Sequence, residues 1–148
     1  MITKKMHERY VEWFDADEMH GASKKWTSEL NFVKDEQRFF EDLIKSYTLD
    51  LLDSGQFSKT KELVSELNKQ QNEIVELLKY IQIHENNLEI MIDGIDEPKK
   101  ENQYKKTHSQ LFANVNSYLE EYKLIKTQLF KSIKEILKKQ RQKKLLGE

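Results

Sequence analysis

The chain contains no cysteine, one proline, four scattered glycines and no long uninterrupted apolar run. The missing cysteine excludes disulfides, thiolate nucleophiles and cysteine-ligated zinc, and gives no sign of an oxidising compartment. Isolated glycines cannot build a phosphate-cradling loop, and no serine sits on a glycine-flanked turn. The only serine directly beside a histidine is Ser109, after His108. A membrane-spanning helix needs about 20 consecutive apolar residues, and none is present. The opening Met1-Ile2-Thr3-Lys4-Lys5 lacks the apolar core of a signal peptide, so the expected address is cytoplasmic. No stretch alternates apolar and polar residues as a half-buried strand does.

Metal chemistry is poorly supplied. Inward-facing Glu-x-x-His pairs build di-iron bundles, yet none of the four histidines has a glutamate three residues before it. His20 has Asp17 at that spacing, with no matching second pair, and a zinc-type His-Glu-x-x-His is absent. No catalytic motif, metal or cofactor is therefore expected.

What is present is a charged, helical sequence. Of its 148 residues 34% are charged and 37% apolar. Phe57, Thr60, Val64, Leu67, Gln71, Ile74, Leu78, Ile81, Glu85, Leu88 and Ile92 recur in steps of three and four. A repeat near 3.5 keeps facing its neighbours only when helices wrap with a left-handed supercoil. The spacing predicts a helix over about 58–93, roughly 50 Å long, with Ser58 as its cap.

Two flanking segments match it. The first, about 16–53, has the seam Met19, Trp26, Leu30, Val33, Gln37, Phe40, Ile44, Tyr47 and Leu51, with Phe32, Phe39 and Leu43 widening the stripe. Asp15 with Glu18 three residues on is a capping-box-like start, unless Gly21 delays the helix to Ser23. Gly55 suits the left-handed position past its end. The second segment, about 98–144, opens on Pro98 after a Gly94 stop and carries Tyr104, His108, Leu111, Val115, Tyr118, Tyr122, Ile125, Leu129 and Ile136. Met6, Tyr10, Trp13 and Phe14 share one face of a short helix over about 3–14.

The expected fold is all-α and a single domain: an elongated antiparallel three-helix bundle with left-handed coiled-coil packing and a short N-terminal helix. Its layout is similar to a spectrin-type repeat with extended helices, a likeness of architecture that implies no function.

Polar residues interrupt the seams at two heights. With the second and third long helices turning near Ile95, Glu85 faces Lys105 to His108, and Trp26 and Tyr104 come to the same level. Trp26, Glu85, Tyr104 and His108 then form either a polar layer that fixes register or a small-ligand or pH-sensitive site. A Glu85–His108 contact is expected, with the carboxylate favouring the imidazolium and burial opposing it. Gln37, Gln71, Tyr118 and Tyr122 make a second layer of amide-to-phenol hydrogen bonds.

Charge is divided unevenly. Residues 1–96 hold 12 basic and 20 acidic side chains, and residues 97–148 hold 13 and 6. The third helix outlasts the second, giving a basic overhang over about 134–148 with Lys134, Lys138, Lys139, Arg141, Lys143 and Lys144. That end and the aromatic face of Met6, Tyr10, Trp13 and Phe14 are the candidate partner-binding surfaces. The expected function is a non-catalytic interaction or scaffold protein that self-associates or binds another protein through its ends. The alternative is a binder of nucleic acid or anionic membrane through the basic helix; a third is a small-ligand sensor within the bundle.

Overall fold

The structure, a computed structural model, describes residues 15–53, 55, 57–93 and 98–147. They form four helices: α1 (Ala16–Ser46), α2 (Thr48–Asp53), α3 (Phe57–Asp93) and α4 (Pro98–Leu145). No strand occurs among the described residues. The expected helix over residues 3–14 and the turn at Gly94 and Ile95 lie outside them.

Asp15 caps α1 as its sequence suggests. Its backbone is extended and its side chain accepts a hydrogen bond from the Glu18 N–H at 2.8 Å. The helix continues through Gly21, so the later start at Ser23 is not used. An interior glycine costs roughly 1 kcal/mol against alanine, too little to break a helix whose Met19 and Trp26 are both buried.

The far end of the same segment departs from expectation. A continuous helix to residue 53 is replaced by a break at Tyr47, whose N–H is shared between the Leu43 and Ile44 carbonyls at 3.2 Å each. The hydroxyls on either side cause a local competition. Ser46 donates to the Asp42 carbonyl, and Thr48 donates to those of Ile44 and Lys45. Such back-bonding bends helices and loosens the ladder. After α2, Gly55 takes φ +74°, the left-handed conformation that other residues adopt only with strain.

The long helix α3 begins at Phe57, so Ser58 lies in its first turn and not at its cap. Pro98 opens α4, where its missing N–H would have been unpaired in any case.

The α1, α3 and α4 helices pack as a helical bundle around one apolar core. Leu30, Val33 and Phe40 meet Leu67, Ile74 and Ile81, and Val115, Ile125 and Leu129 complete it. Each such side chain contributes about 1.5–3 kcal/mol by leaving water. Phe32 and Phe39 do not widen the α1 stripe; they are 66% and 57% exposed. Each lies one residue, or about 100° of rotation, from a buried neighbour, Val33 or Phe40.

The buried face of α3 also differs from the expected seam. Leu63, Leu67, Gln70, Ile74, Ile81, His84, Glu85 and Leu88 are buried, whereas Val64, Gln71, Leu77 and Leu78 are only partly so. Both registers share Leu67, Ile74, Ile81 and Leu88. Two intervening positions are displaced by one residue, Leu63 for Val64 and Gln70 for Gln71, while at the third Leu77 and Leu78 share the partial burial and at the fourth His84 joins the expected Glu85.

The last buried residue of α4 is Ile136, and residues 137–147 are all exposed. The expected basic overhang thus begins slightly later, at Leu137, with Lys134 already exposed along the preceding turn.

Candidate functional site

The most unusual polar group in the core is a pair of histidines. His84 from α3 and His108 from α4 are 1% and 0% exposed, and His84 Nε2 lies 3.0 Å from His108 Nδ1. One neutral imidazole donates to the other across that distance, the direction depending on tautomer. Trp26 of α1 stacks on the His108 ring with centroids 4.5 Å apart and planes 25° from parallel. Phe112 leans on the same indole, centroids 5.9 Å apart. The layer therefore takes one ring from each long helix, and a fourth ring seals its side. His84 Nδ1 is buried with no hydrogen-bond partner among the described residues.

Burial pushes His84 from its ordinary value down to about 4. His108 is lowered to about 3, by burial first and then by repulsion from a charged His84. The expectation that a carboxylate would favour the His108 imidazolium is thus overturned: removal of solvent outweighs any attraction, and the pair is neutral at pH 7.

The expected foursome is brought together only in part. Trp26 and His108 are in contact, but the hydrogen-bonding partner of His108 is His84, the residue before Glu85. Glu85 turns towards α1, where its Oε1 is 4.0 Å from His20 Nε2; Glu89 Oε1 reaches the same nitrogen at 3.2 Å. Tyr104 is half-buried in a smaller apolar cluster with Met19, Leu88 and Met91. The layer consequently has a buried, neutral centre and an outer His20–Glu89 contact at the rim. His84 and His20 were missed because neither lies on the seams read from the sequence. An open cleft of about 470 Å³ flanks the layer between α1 and α4, lined by Lys25, Trp26, Glu29, Phe112 and Val115 among others.

In the second polar layer, Gln37 Nε2 donates to the Tyr118 hydroxyl at 2.8 Å, and that hydroxyl donates to the Gln70 carbonyl at 2.8 Å. This chain ties α1 to the backbone of α3 through a side chain of α4. Gln71 does not join it; its amide donates to Glu41 Oε2 at 3.2 Å on the α1 flank. The Tyr122 hydroxyl donates to Glu36 Oε1 at 2.8 Å, and Lys126 Nζ lies 2.8 Å from the same oxygen. Burial pushes Tyr118 up to about 12, and Tyr122 is raised by burial and then by the Glu36 hydrogen bond. Both phenols keep their protons at neutral pH, as their donor roles require. Gln70 was also missed; its side-chain oxygen and nitrogen are buried without partners among the described residues.

The two layers hold structure together, and their exposed reactive atoms are few. No cluster of three or more His, Asp or Glu side chains suited to a metal ion occurs among the described residues, nor any helix long and apolar enough to cross a membrane. The surface sites lie elsewhere. Lys138, Lys139, Arg141, Lys143 and Lys144 are exposed on the α4 terminus together with Leu137, Leu145 and Leu146. Met6, Tyr10, Trp13 and Phe14 lie outside the described residues. No known family model, curated protein or solved structure matches the chain.

Proposed function

We propose that the protein is a non-catalytic interaction or scaffold protein of the cytoplasm, in which a left-handed, antiparallel three-helix bundle presents the basic end of α4 to an acidic protein surface. The order of the contacts supports the antiparallel arrangement. His20 meets Glu89 and Glu41 meets Gln71 along α1 and α3, while His84 meets His108 and Gln70 meets Tyr118 along α3 and α4. In both pairs the index rises on one helix as it falls on the other. The 3.5-type repeat of the α3 core residues supports the left-handed wrap.

The observation that carries the functional reading is the exposure of residues 137–147 after the core has ended at Ile136. Cations favour a helix C-terminus by about 0.3–1 kcal/mol each, but only within the last turn. That accounts for Lys143 and Lys144 and not for Lys138, Lys139 and Arg141, which precede the last turn. Leu137, Leu145 and Leu146 among these charges suit a protein surface. The basic end of α4 has one arginine, Arg141, and no aromatic residue follows Phe130, which argues against base readout on a nucleic acid. The ligand-sensor reading has less support, because Trp26 and His108 fill their level by stacking on each other.

Fluorescence anisotropy with a labelled polyglutamate peptide tests the proposal. Binding should occur at low salt, weaken as salt rises, and be lost in the variant K138Q/K139Q/R141Q/K143Q/K144Q. Retained binding in that variant, or none in the parent, would refute it. Equal binding to duplex DNA or phosphatidylserine vesicles, with the same dependence on these residues, would favour the polyanion reading.

A further inference from the structure

The exposed aromatic residues of α1 and α4 converge on one face. Phe40, fully buried, holds Phe39 against one edge at 5.8 Å between ring centroids and Phe130 against another at 5.0 Å. Phe39 and Phe130 remain 57% and 47% exposed. Seven residues, or two turns, before Phe39 stands Phe32; seven after Phe130 stands Leu137, and both are exposed. Trp26 meets His108, Gln37 meets Tyr118 and Phe40 meets Phe130, so the index rises on both helices together; the two apolar stripes, one on each helix, meet at the level of Phe39 and Phe130 and run on from there in opposite directions.

The charges along the stripes are of opposite sign. Asp35 falls between Phe32 and Phe39 at helical spacing, and Asp42 follows Phe39 by three. On α4, Lys134 falls between Phe130 and Leu137, and Lys123 precedes Phe130 by seven. Within one chain the two helices are already linked on this side, through Glu36 and Lys126 at 2.8 Å. Asp35, Asp42, Lys123 and Lys134 are exposed and make no ion pair among the described residues. A face with an acidic apolar stripe beside a basic apolar stripe is complementary to itself after a half-turn about an axis along the helices. The α1 stripe of one copy then meets the α4 stripe of the other, twice, as an isologous contact requires.

We infer that this face is the interface of a two-fold homodimer, with Phe32, Phe39, Phe130 and Leu137 as its apolar centre and Asp35 and Asp42 opposite Lys123 and Lys134 of the second copy. The inference rests on the interaction-protein reading and names its partner as another copy of this chain. Aromatic residues at the centre and charges around them are the composition that stable interfaces favour. The charges fix the orientation, since α1 against α1 would set like charges together.

Sedimentation equilibrium on the full chain tests it. The parent should show a monomer–dimer equilibrium that weakens with salt. Phe32→Ser/Phe39→Ser should be monomeric where the parent is dimeric, with unchanged helicity by circular dichroism. The charge-swapped chains Asp35→Lys/Asp42→Lys and Lys123→Glu/Lys134→Glu should each be monomeric alone and should form a heterodimer when mixed. A parent that stays monomeric overturns the inference, as does a dimer indifferent to all four changes. A monomeric parent that dimerises only when residues 1–14 are deleted assigns the face to that segment and overturns it too. These readouts are independent of polyglutamate binding at the α4 terminus, so either reading can fail while the other stands.

Discussion

The buried histidine pair makes stability strongly dependent on pH between neutrality and mild acid. Both imidazoles titrate near 6.5 in the unfolded chain, but at about 4 for His84 and about 3 for His108 in the folded one. Above pH 6.5 both states hold the pair neutral and its contribution is fully present. As pH falls below 6.5 the unfolded chain takes up two protons that the folded chain refuses, so stability falls until the folded values are reached. Each proton costs about 1.4 kcal/mol per pH unit, so two cost on the order of 4 kcal/mol between pH 6.5 and 5. A domain of this kind has about 5–15 kcal/mol in all, so mild acid should remove a large part of it. Carboxylates contribute little in this window because they titrate mainly below pH 5. Urea unfolding of the parent and of His84→Leu/His108→Leu at several pH values between 7.5 and 5 measures the effect. Replacing both partners of a buried hydrogen bond by apolar groups is close to neutral, so the variant should match the parent near pH 7.5. It should then lose less stability on acidification, and the difference isolates the pair from His20 and its carboxylates. Parallel stability profiles for the two proteins would refute the argument.

Three further outcomes are expected. Tyr118→Phe should cost about 1–3 kcal/mol in urea unfolding at neutral pH, because it leaves the Gln37 amide and the Gln70 carbonyl without their shared hydroxyl. Leu63→Ala should cost about 2–5 kcal/mol and Val64→Ala clearly less, since only the first is fully buried; equal losses would contradict the observed rotation of α3. Asp15→Ala should lower thermal stability by the equivalent of about 1 kcal/mol, the usual worth of an N-cap, while leaving the core intact.

Much of the helical plan was legible because it rests on local chemistry. Asp15, Gly55 and Pro98 carry their signals in their own side chains and backbones, and the α1 and α4 seams are unambiguous at Leu30, Phe40, Val115 and Ile125. The break at Tyr47 was not legible, because each hydroxyl around it is compatible with an unbroken helix taken singly. Phe32 and Phe39 misled for another reason. An apolar side chain beside a seam reads as part of it, whether it meets its own bundle or is left for another chain.

The site was lost at one position of α3. A 3.5-type repeat with apolar residues on adjacent positions can be read in two registers, and both fit Leu67, Ile74, Ile81 and Leu88. Gln70 and Gln71 are the same residue, Leu77 and Leu78 likewise, and Leu63 exceeds Val64 by one methylene, worth about 0.8 kcal/mol. The remaining difference is His84 against Glu85. An imidazole enters an apolar layer neutral at pH 7 with no change of protonation. A carboxylate placed there must either stay charged or be protonated, and protonating it at pH 7 costs about 4 kcal/mol from an ordinary value near 4.3. That one term exceeds the others and sets His84 at the centre against His108, while Glu85, buried beside it, turns its carboxylate away towards His20. Where a His-Glu step interrupts an otherwise ambiguous seam, the imidazole belongs inside because its neutral form is already the stable one.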